Sequence, residues 1–170
     1  MVVHAYYRLP VRRHKGGGLL MQLLEYLAFL ILAFFKLCFL HAQKRYGTVQ
    51  IHNLPDFLVF AGLGPKLTGA RLILDLHDLM PEFFASKFNS GMQSWPVRLV
   101  IWQEQLSCRF ADHVITVTEV WKGTLIERGV PAEKVSVVMN VADPRIFQRA
   151  VNGQRPLPNG QGFHLIYHGT

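Results

Sequence analysis

In the run Arg71-Leu-Ile-Leu-Asp-Leu-His-Asp-Leu-Met-Pro-Glu82, an apolar, strand-like stretch stops abruptly at His77 and Asp78, and Glu82 follows one turn later. Ligands of open α/β sheets bind just beyond the carboxyl ends of the strands, so polar groups at such an end are placed for chemistry. An imidazole beside a carboxylate can donate to a sugar hydroxyl or a phosphate oxygen, and its charge is tunable near neutrality. The bland alternatives are a structural histidine and, for Glu82, an acid that suits the first turn of a helix. Three more apolar runs end in polar residues: His52-Asn53, followed by Asp56; Thr118-Glu119; and Asn140, followed by Asp143. Ordinary turn and cap chemistry accounts for Thr118, Glu119 and Asp143 taken alone.

Other chemistries find less support. Alternation along a strand puts Asp75 and His77 on one side and Asp78 on the other. With no second histidine cluster for the remaining ligands, no metal site is expected. The chain has no Gly-x-Ser-x-Gly elbow and no cysteine beside a base, which argues against a nucleophilic hydrolase. The Gly16-Gly17-Gly18 run reads as a joint, because no GK[ST] follows it, and the absence of Gly-x-Gly-x-x-Gly disfavours a dehydrogenase.

Regular elements must position these groups. From residue 48 onward, strands are expected at Thr48–His52, Arg71–Leu76, His113–Thr118 and Lys134–Met139. Helices are expected at Phe57–Leu67, disturbed by Pro65, at Pro96–Phe110 capped by Ser94, and at Val120–Arg128 stopped by Gly129. Residues Phe83 to Ser94 read as a loop. Strands alternating with helices at this spacing predict a parallel sheet, an α/β Rossmann-like doubly wound layer, with all four polar ends on one rim. Residues 1–150 read as one domain, with a β-permissive stretch at Val2–Leu9. Residues 151–162 collect proline and glycine like a linker, and 163–170 read as the first strand of a second domain.

Before this rhythm comes a long apolar helix, Leu19 to Gln43. Its ten unbroken apolar or aromatic residues, Tyr26 to Phe35, fall short of the roughly 18 needed for a clear membrane span. Such a helix is either buried on several sides or docked in a bilayer interface. The chain has 170 residues, enough for a real core. It carries 18 Lys+Arg against 11 Asp+Glu, a balance that attracts phosphates and anionic surfaces. Arg8, Arg12, Arg13, His14 and Lys15 precede the helix and Lys44 and Arg45 follow it, which points to an anionic lipid surface more than to a duplex. No nucleic-acid partner is expected, since no RNA-binding aromatic signature or basic helical stripe is present. Cys38 and Cys108 are far apart and form no CxxC, consistent with a reducing compartment.

Several segments resemble the amino-terminal domain of GT-B glycosyltransferases, specifically the retaining glycosyltransferase family 4. They are Tyr46–Asp56, Leu74–Glu82, Cys108–Glu119, Arg128–Asn140 and Asp143–Phe147, while Phe163–Thr170 resembles the opening of that family's second domain. The resemblance implies transfer of a sugar from a nucleotide-sugar donor, with retention, to a glycan or lipid-linked acceptor. His77 would face the reaction centre, with Asp78 and Glu82 close by. His52, Asn53, Asp56, Thr118, Glu119 and Asn140 would line the substrate side. It implies no cofactor and no metal. The family's donor-binding domain and its first strand and glycine loop have no counterpart here, so the chain is expected to be a partial or split enzyme, inactive alone. The expected place is cytoplasmic, on the inner face of the membrane. The competing expectation is a non-catalytic Rossmann-like module that docks on a membrane or on a partner enzyme.

Overall fold

The computed structural model describes residues 7–11, 18–141 and Arg145. The chain divides into two units, Met1–Met139 and Asn140–Thr170, and every regular element among the described residues belongs to the first. Most of Val2–Leu9, Asp143, the linker at 151–162 and the strand expected at 163–167 lie outside the described residues.

Helix α1 spans Leu19–Lys44 and ends where Arg45 turns left-handed, its N–H donating to the His41 carbonyl at 2.8 Å. Then follow β1 (Thr48–His52), a 3₁₀ turn (Asp56–Gly62), α2 (Leu63–Leu67) and β2 (Arg71–Leu76). The remaining elements are α3 (Met80–Lys87), α4 (Trp95–Phe110), β3 (His113–Thr116), α5 (Glu119–Glu127), a second 3₁₀ turn (Ala132–Lys134) and β4 (Val135–Val137). All neighbouring strands are parallel, in the order β1-β2-β3-β4. The fold is therefore the expected Rossmann-like α/β layer, and its described strands progress in chain order.

Leu72, Leu74 and Leu76 of β2 are fully buried and form the centre of the core with Val59, Cys108, Val114, Leu125 and Val135. Alternation gives the sheet a second face, carrying Gln50, His52, Ile73, Asp75 and His77, which is half open. Gly62 is required by packing: a Cβ there would sit 2.7 Å from a Leu72 methyl.

Several expectations change. Residues 57–67 are not one helix but a 3₁₀ turn followed by α2, in which Pro65 falls among the first residues, where an N–H has no helical partner anyway. Phe83–Lys87 is not loop: Pro81 and Glu82 open α3, which stops before Asn89 at φ 46°. Ser94 occupies the N-cap position of α4, but its hydroxyl caps nothing. The last two strands are also shorter than expected: β3 ends at Thr116, with Thr118 taken up as the cap of α5, and β4 spans Val135–Val137, with Lys134 belonging to the preceding 3₁₀ turn.

The state of α1 is the most consequential feature of the packing. Among its described residues only Leu40 and His41 are buried, while Leu20, Leu23, Leu24, Leu27, Ile31, Phe35 and Phe39 stand exposed. Its inner stripe rests on its own domain along most of its length. Tyr26 meets Phe57 edge to face at 6.4 Å, and His41 Nε2 lies 2.8 Å from the Thr68 hydroxyl. Cys38 packs where a Cβ on Gly64 would collide with its sulfur.

Candidate functional site

The register of β1 and β2 builds the site. Pairing of His52 with Asp75 places these two side chains next to each other on the open face, and His77, two residues beyond Asp75, follows on the same side. His52 Nδ1 lies 3.1 Å from Asp75 Oδ2 and 3.1 Å from His77 Nε2, and His77 Nε2 lies 3.5 Å from Asp75 Oδ2. The two imidazoles meet edge to edge, nitrogen facing nitrogen, with centroids 5.3 Å apart and planes 22° apart. Gln50 Nε2 donates to the same Asp75 oxygen at 2.7 Å. The carboxylate is nearly buried at 9% exposure, while His52 and His77 open to solvent at 59% and 39%. Fixed below and open above, this group of side chains can offer hydrogen bonds to a hydroxyl or an anionic oxygen.

Asn53 clips the two strand ends together. Its Oδ1 accepts from the His77 backbone N–H at 2.9 Å, and its Nδ2 donates to Asp56 Oδ1 at 3.0 Å and to the Asp78 carbonyl. It thus fixes the backbone that carries the imidazole. Asp56 is fully buried, and its Oδ2 has no hydrogen-bond partner among the described residues. Burial pushes its pKa up to about 6, against the Asn53 bond that lowers it. An unfolded chain gives up this proton near pH 4, so it binds fewer protons than the folded one between pH 4 and 6, and stability falls as pH rises through that window. The contribution is about 2–3 kcal/mol, complete below pH 4 and lost above 6. The variant Asp56→Asn is expected to flatten the urea-midpoint profile between pH 4 and 7; an unchanged slope would assign the effect elsewhere.

The other expected site residues are dispersed. Asp78 is exposed at the start of the loop after β2. Glu82 is ion-paired with Arg128, whose guanidinium also holds the buried Glu104 at 2.9 Å, so this carboxylate ties α3 to the end of α5. Thr118 accepts from the Trp121 backbone N–H at 3.1 Å as the N-cap of α5, and Glu119 is exposed in that helix's first turn. Asn140 is exposed and begins the second unit. Asp75 and Gln50, absent from the expected site, are the residues that hold the two histidines.

A parallel sheet that gathers polar side chains at its carboxyl rim defines a Rossmann-like ligand-binding domain. The sequence profile of the glycosyl transferase 4-like domain matches residues 2–141, and the chain belongs to that family. Membership supports a general glycosyltransferase role. No solved structure matches the chain.

Proposed function

We propose that this domain forms the acceptor side of a retaining glycosyltransferase that moves a hexosyl group from a nucleotide sugar to a lipid-linked or polymer acceptor. The observation that carries the reading is the pair of facing imidazoles held by Asp75 at the strand ends, in a chain of the glycosyl transferase 4-like family. Such transfer needs a departing diphosphate and an oxocarbenium-like centre to be stabilised, which is work of positioning and electrostatics. His77 supplies an oriented hydrogen bond to the reacting sugar or its phosphate, Asn53 positions it, and Asp78 and Glu119 stand at the acceptor side. Glu82 acts at a distance, by holding α3 through Arg128. The donor's nucleotide belongs to a second lobe, and no metal takes part in the transfer. The complete protein that carries this domain, assayed with a panel of nucleotide sugars, is expected to form a product that keeps the donor's anomeric configuration by NMR. An inverted product would contradict retention; no transfer from any donor would favour the non-catalytic module.

The membrane reading rests on α1. By length and composition the stretch Leu20–Lys44 is apolar enough to cross a bilayer. Because it is docked on its own domain from Tyr26 to His41, it suits lying along the interface with its outer face in lipid. Lys36 and Lys44 lie on this helix and Arg45 ends it, cations that would match anionic headgroups at the cytoplasmic leaflet. Between α1, α3 and α4 opens a cavity of about 420 Å³, lined by Tyr26, Phe57, Phe83, Phe84, Phe88 and Leu99. Leu54 and Pro55 also line it, immediately after Asn53, so a lipid tail seated there would keep its head group close to the histidines. Vesicles containing anionic lipid should retain the chain at low salt and release part of it at high salt. Phe35→Glu should weaken retention by about 10- to 100-fold, the worth of one buried aromatic side chain. Retention indifferent both to lipid charge and to Phe35 would rule this surface out.

A further inference from the structure

We propose that His52, Asp75 and His77 bind one divalent first-row transition cation of the zinc type, through His52 Nδ1, Asp75 Oδ2 and His77 Nε2. Sequence spacing offers only Asp75 and His77 for such a site; the parallel register supplies the third ligand, from a strand 25 residues earlier. The three ligand atoms form a triangle with sides of 3.1, 3.1 and 3.5 Å. Metal–ligand bonds of about 2.0–2.1 Å in tetrahedral geometry put neighbouring ligand atoms about 3.3–3.4 Å apart. The triangle therefore has the dimensions of one face of a zinc tetrahedron, needing only small shifts in two exposed rings.

The donor set points to the class of ion. Two imidazole nitrogens and one carboxylate suit zinc, cobalt or iron, whereas magnesium and calcium take oxygen ligands. Three protein ligands leave one position of the tetrahedron open. Exposure of both histidines leaves that position to water. Gln50 completes the arrangement: its amide donates to Asp75 Oδ2, fixing the carboxylate as an outer-shell partner does. The site stands on these distances alone and does not depend on the transfer reading.

Cobalt(II) is the direct probe, because a tetrahedral cobalt site with nitrogen and oxygen ligands absorbs far more strongly in the visible than the hexa-aqua ion. Titration of the full chain is expected to give one intensely absorbing Co²⁺ per chain, displaced stoichiometrically by Zn²⁺. His52 is largely exposed, so His52→Ala should keep the fold, checked by circular dichroism. It is expected to weaken Zn²⁺ binding by at least about 100-fold, and Gln50→Leu by about 10- to 100-fold. Equal Zn²⁺ affinity in the parent chain and in His52→Ala would mean adventitious binding at other histidines and overturn the proposal. Only weak, octahedral-type cobalt absorption would also overturn it, leaving a hydrogen-bonded cluster with a shared proton.

Discussion

Replacing His77 by alanine in the complete protein is expected to slow sugar transfer by about 100- to 1,000-fold, the usual consequence of losing one preorganised hydrogen-bond donor at the reacting centre. The loss should fall mainly on kcat, since the imidazole is proposed to act where charge develops and not as a general binding contact. Stability is expected to change little, because the ring is more than a third exposed and lies outside the leucine core of β2. His52→Gln should have a smaller effect, about tenfold, if His52 serves to orient its hydrogen-bonded neighbour. Steady-state kinetics alongside thermal denaturation separates the two outcomes. A His77→Ala enzyme with unimpaired kcat would remove His77 from the reaction.

The second large effect belongs to Arg128→Met. Arg128 is the counter-ion of Glu104, a carboxylate only 1% exposed inside α4, and it also holds Glu82 of α3. Removing one partner of a buried ion pair costs about 3–5 kcal/mol, because the other charge is left in a poorly solvating interior. Burial already pushes Glu104 up to about 7, with Arg128 pulling it back down. Without the arginine its pKa must rise further, and a protonated Glu104 needs no counter-ion. The destabilisation is therefore expected in full near pH 8 and much reduced near pH 5, where the acid is neutral. Adding Glu104→Gln to Arg128→Met should restore part of the lost stability at pH 8. Equal losses at both pH values would mean that the arginine acts through packing alone.

The sequence made the outline of the fold readable where periodicity and punctuation agreed. Thr48–His52 and Arg71–Leu76 stand at their expected bounds, and α1 ends one residue later than expected. Gly129, at φ 92°, follows α5 as its terminator. Composition misled at Phe83–Lys87, where serine and asparagine suggested a loop although Pro81 and Glu82 open a helix. Half of the site was legible in the same way. Alternation already put Asp75 and His77 on one side, but which residue of β1 lies beside them depends on strand register, which no local pattern encodes. The partners Gln50 and His52 therefore emerge only in three dimensions. Glu82 shows the reverse case: one turn from His77 in sequence it reads as a site acid, yet its charge is spent on an arginine 46 residues away. The burial of Asp56 was equally hidden, since an aspartate after Leu-Pro reads as a solvent-facing helix start.

The claim beneath all of this is that the carboxyl rim of β1 and β2 receives the acceptor. Imidazole ¹⁵N–¹H NMR of the chain, titrated with a short-chain prenyl-diphosphate-linked sugar, tests it most directly. His113 provides an internal control: it opens β3 beside Ile73, two residues short of Asp75, and its ring contacts Ser136 at 2.9 Å. Saturable shifts at His52 and His77 with His113 unmoved are the expected result. Shifts at His113 while His52 and His77 stay still would place the acceptor at the wrong end of the strands and contradict the account.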